Sequence, residues 1–168
     1  MSTSGNKTAP DGLNYYTDNQ TGHSAGEPGQ TFTTGTNSAG YVLNSLAIKT
    51  GGLGSSSYSG ISTAQPYYLH IYSVSGSTAT LLQTYTSANF TFSDGDWLKW
   101  SGLSVPLAAK TNYAWSFGKA SSTTGWEPLA VATNNLYTGG EVGLVPTAGG
   151  TINFGSSHGF DEIGRAHV

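Results

Sequence analysis

The stretch Thr111–Phe117, which reads TNYAWSF, indicates the fold more clearly than any other part of the chain. Its large side chains Tyr113, Trp115 and Phe117 alternate with small residues. Because successive side chains of a strand point to opposite faces, this spacing predicts a β-strand with one aromatic face. We expect that face to be buried, which places Trp115 in a hydrophobic core.

Runs of alternating β-branched and aromatic residues recur along the chain, whereas helix signals are nearly absent. Clusters of Gly, Ser and Asn separate the runs and indicate turns. The absence of helical segments between the strands predicts an all-β fold of antiparallel strands, a sandwich or a barrel. Residues 1–25 carry little apolar periodicity, so we expect an irregular lead-in there and one module at 26–168. The predicted strands cover residues 29–34, 40–50, 67–74, 80–86, 89–92, 98–107, 111–118, 129–132, 142–144 and 160–163.

The composition argues against several classes of function. Only 9% of the residues are charged and the formal net charge is −3. The few basic residues are scattered, so nothing resembles a surface that follows nucleic-acid phosphates. No apolar run is long enough to span a membrane. The chain has no cysteine, and its hydroxyl-rich composition is typical of a bacterial extracellular protein.

All of the tryptophans lie between residues 97 and 126. In the run from Trp97 to Leu103, the strand repeat puts Leu98 and Trp100 on one face and Trp97 with Lys99 on the other. We therefore expect Trp100 to be buried and Trp97 to face water. An exposed tryptophan ring is typical of a surface that meets an apolar ligand face.

The predicted ligand is a sugar, because flat rings stack on the apolar faces of pyranoses. Trp126 follows a Ser/Thr/Gly run and precedes Glu-Pro, which predicts a loop, and Tyr137 stands in the amide-rich segment 134–140. Together with Trp97 these rings form the predicted platform. The side chains predicted to meet sugar hydroxyls are Lys99, Glu127, Asn134 and Asn135.

Three segments of the chain resemble β-sandwich modules appended to bacterial secreted and cell-surface proteins, including polysaccharide-degrading enzymes. They are DGDWLKWSGLSVPLAAKTNYAWSF (Asp94–Phe117), GQTFTTG (Gly29–Gly35) and GYVLNSL (Gly40–Leu46). The resemblance implies a non-catalytic carbohydrate-binding module of jelly-roll type, tethered to a glycoside hydrolase in the full-length protein, as in cellulose degradation. The scarcity of charge favours a neutral, β-glucan-like plant polysaccharide as its partner.

The same resemblance implies a structural calcium ion, because modules of this kind commonly carry one. Calcium binds through hard oxygens, usually carboxylates together with carbonyls. The resemblance also implies that the first and last strands are neighbours, which makes Glu27 and Asp161 the candidate metal ligands. The other acidic pair, Asp94 and Asp96, lacks the ligand spacing of a helix-loop-helix calcium site and is interpreted as part of a turn.

Two alternatives remain open from the sequence. One is a cell-surface adhesion module without a sugar site, which predicts that Trp97 and Trp126 are buried or far apart. The other is a small jelly-roll glycoside hydrolase, which needs two facing carboxylates, and Glu127 with Glu141 is the best pair. Glu127 precedes a proline, which suits a loop better than a rigid catalytic strand. We therefore expect a binding protein rather than an enzyme.

Overall fold

The computed structural model describes the chain in several ranges. They are residues 7–8, 14–16, 19–21, 27–51, 64–93, 95–119, 124–126, 129–132, 139–153, 161–162 and 164–167. In 7–21, at 119, in 124–132 and in 161–167 only the backbone is described. Within these ranges no helix is long and apolar enough to cross a membrane.

Every regular element of the described ranges is a β-strand, and every pairing is antiparallel. This confirms the predicted antiparallel all-β fold. The strands are β1 (Lys7–Thr8), β2 (Asn14–Tyr16), β3 (Asn19–Thr21), β4 (Glu27–Thr33), β5 (Tyr41–Lys49), β6 (Tyr67–Ser75), β7 (Thr78–Thr86), β8 (Trp97–Leu107), β9 (Asn112–Lys119), β10 (Thr124–Trp126), β11 (Leu129–Ala132), β12 (Val142–Val145), β13 (Gly150–Thr151), β14 (Asp161–Glu162) and β15 (Gly164–His167).

Two sheets form the body of the molecule. The six-stranded sheet has the order β12-β4-β9-β6-β7-β13, and the three-stranded sheet has the order β15-β5-β8. Two smaller sheets, β1-β2-β11-β14 and β10-β3, join the early segment of the chain to its later part. Residues 1–25, for which an irregular lead-in was predicted, thus include three short paired strands.

The main core lies between the two large sheets. Strands β6 and β9 contribute Tyr67, Leu69, Ile71, Tyr113, Trp115 and Phe117, and strands β5 and β8 contribute Leu43, Leu46, Ile48, Leu98, Trp100, Leu103, Val105 and Leu107. Trp100 and Trp115 are each only 4% exposed, which confirms their predicted burial. Aromatic edges meet inside this core, as where the Trp100 ring lies 6.3 Å from the Phe117 ring.

The opposite face of the six-stranded sheet is also covered. Tyr72, Ala79, Ala114, Val145 and Ile152 form a second buried apolar cluster there. Val145 of β12 and Ile152, directly after β13, belong to this cluster, so the segment 145–152 lies over this face of the sheet. The sheet is therefore buried on both sides, which explains why β6 and β9 carry buried residues at successive positions.

The predicted strand at residues 89–92 is wrong, because this segment is irregular. It closes the end of the sandwich, where Phe92 is buried 6.2 Å from the Tyr67 ring. Ser87 holds the segment in place: its N–H donates to the Tyr67 carbonyl, and its hydroxyl accepts from the Tyr67 N–H, both at 2.9 Å. The alternation of Phe90 and Phe92 therefore reflects two rings that pack on the core, without the backbone hydrogen bonds of a β-strand.

Two β-bulges interrupt the sheets. In β8, residues 102–104 stand opposite the single residue Asn44 of β5, and Gly102 adopts a positive φ of 72°. In β7, Leu82 is an extra residue between Leu81 and Gln83, which pair with adjacent residues of β6. A bulge bends its strand and redirects nearby side chains, and both bulges lie at positions that line the clefts described below.

Candidate functional site

The candidate site lies along one open side of the sandwich. Strand β8 ends the three-stranded sheet, and β7 is paired beyond Ala79 only with β6 in the described part of the chain. These two edges run beside each other, and open clefts lie between them. The side is therefore walled by two strands that belong to different sheets.

The larger cleft, which we call the edge cleft, has a volume of about 270 Å³. Its lining residues are Tyr85, Thr86, Ser87, Ala88, Phe90, Lys99, Trp100, Ser101 and Leu103. Tyr85 and Phe90 are half-buried, while Lys99 and Ser101 are exposed. Phe90 stands edge-on to Trp100 at 5.1 Å between ring centroids, which joins the cleft to the core.

A second cleft of about 220 Å³ continues along the same side. Leu82, Gln83, Ser104, Val105 and Pro106 line it, and Leu82 is 43% exposed. The backbone N–H of Ser104 donates to the Tyr85 hydroxyl at 3.4 Å. The Tyr85 side chain therefore links the edge of β7 to the edge of β8. Both bulges thus contribute residues to the open side.

The edge cleft combines apolar rings with hydrogen-bonding groups. Its hydroxyls donate and accept, and the Lys99 ammonium donates only. Such a lining suits a ligand with apolar ring faces and many hydroxyls.

Among the predicted sugar-binding residues whose side chains are described, Lys99 lines the edge cleft and Trp97 does not. Lys99 is exposed in the edge cleft, as predicted. Trp97, on the other face of β8 from Trp100, is half-buried and stands opposite Lys49 of β5. Trp126 does not lie in the predicted loop: its backbone belongs to β10 and pairs with Asn19. Glu127, Asn134, Asn135 and Tyr137 lie outside the described residues.

Sequence reasoning missed Tyr85 and Phe90 because both were assigned to ordinary strands. A signal for the cleft was nevertheless present in β8. The inward residues change from even to odd positions between Trp100 and Leu103, and Gly102 stands at the change. A glycine at a phase change in a strand is typical of a bulge.

A second group of chemistry-bearing residues lies on the outer face of the six-stranded sheet. Glu27 is 4% exposed, and its Oε2 accepts from the Ser116 hydroxyl at 3.0 Å and lies 3.3 Å from His70 Nε2. His70 Nδ1 lies 2.9 Å from the Thr84 hydroxyl. Tyr72 Oη lies 3.1 Å from Ser116 Oγ and also donates to the Thr147 carbonyl at 3.3 Å. We call these residues the polar cluster.

Burial dominates the electrostatics of the polar cluster. Desolvation raises the pKa of the Tyr72 phenol well above its usual range, since the charged phenolate loses its water. The hydrogen bond with Ser116 lowers this pKa, and the nearby Glu27 carboxylate raises it. Tyr72 therefore acts as a neutral hydrogen-bonding group at ordinary pH.

The surroundings of Glu27 can be compared with the needs of the predicted calcium ion. The nearest partners of its carboxylate are a hydroxyl and an imidazole, whereas calcium needs several oxygen ligands. Among the described side chains no group of three or more His, Asp or Glu is placed to hold a metal. Asp161 lies in β14, where only its backbone is described. The pair Glu27 and Asp161 stays a prediction, which a fall in melting temperature after chelation would support.

The glycosidase alternative rests on Glu127 and Glu141. Glu127 lies outside the described residues, and Glu141 is exposed just before β12, with its N–H donating to the Thr31 hydroxyl at 2.7 Å.

Comparison with known proteins adds no assignment: the chain matches no family model, no curated protein and no solved structure.

Proposed function

We propose that the protein is a non-catalytic carbohydrate-binding module that holds a neutral, β-glucan-like polysaccharide in the edge cleft. The observation that carries this proposal is the lining of the cleft, where the rings of Tyr85 and Phe90 stand beside Lys99 and several hydroxyls. The sequence resemblance to modules of polysaccharide-degrading enzymes supports it. In this proposal the protein works outside a bacterial cell and is tethered to a glycoside hydrolase.

The energetic basis is stacking combined with hydrogen bonding. A sugar face that covers an exposed ring removes apolar surface from water, at roughly 25 cal/mol per Å². Hydroxyls of the ligand then accept from Lys99 or exchange hydrogen bonds with Ser101. The clefts on both sides of Tyr85 are open, which suits an extended chain.

Affinity electrophoresis tests the proposal. The native chain should be retarded in gels that contain hydroxyethyl cellulose, and the comparison should include soluble xylan and mannan. Lys99→Met should weaken retardation several-fold, and Phe90→Leu should do the same because it removes the flat ring but keeps an apolar side chain. Lys110→Met is the matched control, since this exposed lysine lies outside both clefts.

Two results would contradict the proposal. The first is migration of the native chain that no polysaccharide changes. The second is retardation that survives both cleft substitutions at full strength, which would place binding on another surface. Release of reducing sugar that disappears in Glu127→Ala or Glu141→Ala would instead establish the glycosidase alternative.

A further inference from the structure

Trp100 belongs to the core and to the edge cleft at the same time. Its ring packs against the rings of Phe90 and Phe117, and the residue also lines the cleft. Only 4% of its surface is exposed. The ring is thus packed in the core at a residue that also lines the cleft.

The indole N–H of Trp100 distinguishes it from the rest of the core. Nε1 is the one buried side-chain nitrogen or oxygen, among the residues that the structure describes, without a hydrogen-bond partner. Leaving a buried donor unsatisfied costs about 1–3 kcal/mol, and a buried tryptophan N–H usually finds an acceptor. Such an exception in a folded protein calls for an explanation, and the location of Trp100 in the cleft lining provides one.

We infer that the Trp100 indole N–H is the specificity-determining donor of the edge cleft and binds an oxygen of the ligand. This inference rests on the proposed function and names the ligand group that the site selects. Tryptophan offers a donor only, and so does the Lys99 ammonium at the same cleft. The ligand group bound by Trp100 is therefore an acceptor: a hydroxyl, ring or glycosidic oxygen.

This donor set also defines what the cleft rejects. A protonated amino group has no lone pair for the Trp100 N–H, and its charge is repelled by Lys99. A polymer of protonated amino sugars should therefore bind much more weakly than an uncharged glucan of the same backbone. Chitosan and hydroxyethyl cellulose make this comparison, since both are β-linked chains of six-carbon sugars.

The four tryptophans supply the test, because each indole N–H gives its own signal in a nitrogen–proton correlation spectrum. Single Trp→Phe variants assign the signals. On titration with a soluble cello-oligosaccharide, the Trp100 signal should move to lower field in a saturable way. Trp115 is the matched control: it is equally buried in the same core but does not line the cleft, so its signal should move far less.

Affinity measurements give a second reading. Trp100→Phe keeps an aromatic ring and removes the N–H, and it should weaken binding of the oligosaccharide roughly five- to tenfold, as expected for one lost hydrogen bond. Trp115→Phe should leave the affinity within about twofold of the native value. If Trp100→Phe does not fold, the shift of the Trp100 indole signal in the native chain still tests the inference.

The outcomes separate this inference from the proposed function. Retardation by hydroxyethyl cellulose with a stationary Trp100 signal and a moving Trp97 or Trp126 signal would overturn the inference and leave carbohydrate binding at another surface. Chitosan bound as tightly as hydroxyethyl cellulose would also overturn it. If no glycan retards the chain and no indole signal moves, the proposed function fails and the inference fails with it.

Discussion

At the scale of single residues, the polar cluster shows how polar side chains are accommodated on a buried sheet face. Glu27, His70 and Ser116 come from three adjacent strands. The Glu27 carboxylate lies within hydrogen-bonding distance of both of the others. A buried carboxylate is tolerated only when hydrogen bonds replace its water. The cluster therefore connects β4, β6 and β9 by side chains in addition to the ladder.

Glu27→Ala should lower the free energy of unfolding by about 2–4 kcal/mol, because Ser116 and His70 lose their shared acceptor. Urea denaturation followed by tryptophan fluorescence measures the change. Glu141→Ala is the control, since that side chain is exposed and its removal should stay within about 0.5 kcal/mol. Equal losses in the two variants would show that the cluster adds nothing.

Tyr72 predicts a loss of stability in alkali. Its pKa is raised in the folded state, so above about pH 10 the unfolded chain releases a proton that the folded chain keeps. The contribution of Tyr72 to stability should therefore be constant around neutral pH and fall as the pH rises through the unfolded pKa, by at most about 1.4 kcal/mol per pH unit.

Denaturation profiles between about pH 8 and pH 11 check this point. Tyr72→Phe should be less stable at neutral pH, because the hydrogen bonds to Ser116 and Thr147 are lost. Its stability should then decline less steeply above about pH 10 than that of the native chain. Parallel profiles for the two proteins would contradict the assignment.

At the scale of elements, β8 combines three features that discourage pairing with another strand. It carries the exposed Lys99, the left-handed Gly102 within a bulge, and the exposed Pro106. Charges, bulges and prolines are the usual means by which edge strands avoid aggregation. The edge is thereby kept from extending the sheet, so its side chains stay accessible in the clefts.

Replacing two of these features should allow the edge of β8 to pair with another copy of the chain. The double substitution Lys99→Val with Pro106→Val should produce larger species than the native chain at the same concentration, as measured by size-exclusion chromatography with light scattering. Asn44→Val is the control, because it adds an exposed valine to β5, which is paired on both sides. Equal association of the two variants would indicate general hydrophobicity as the cause.

At the scale of the whole molecule, the low charge predicts how binding responds to salt. A net charge of −3 with 9% charged residues leaves little long-range attraction for a neutral polymer. Retardation by hydroxyethyl cellulose should change less than about twofold when ionic strength rises tenfold to about 0.5 M. A fall of about fivefold or more would indicate an electrostatic contribution and would favour acidic glycans.

The fold was predictable because its information is local. Alternation in Thr111–Phe117 and around Trp100 reports which face of each strand is apolar, and the structure buries those faces. The edge cleft was not predictable, because the contact between Tyr85 and Ser104 depends on which strands form the edges of the two sheets. Pairing order depends on contacts far apart in sequence, which one periodic pattern does not contain.

The polar cluster escaped prediction for a related reason. His70 and Ser116 each stand within an apolar run, and nothing near either of them in sequence marks a partner. Their register in β6 and β9 puts them side by side, and Glu27 reaches them from β4. Glu27 is a candidate from the sequence only because the resemblance to other modules implies a calcium site there. The residues next to Glu27 in the sequence give no sign of His70 or Ser116.

The bulge of β8 has a consequence for how this scaffold can vary. Residues 102–104 are opposed by one residue of β5, so the strand already accommodates a difference in length while its two ends keep their register. Substitutions at the exposed Ser104, and at Leu82 across the open side, can therefore be absorbed locally. Gly102 has a positive φ and Leu103 belongs to the core, so these two residues should stay unchanged. A library randomised at Ser104 and Leu82 should therefore change ligand preference at little cost in folding.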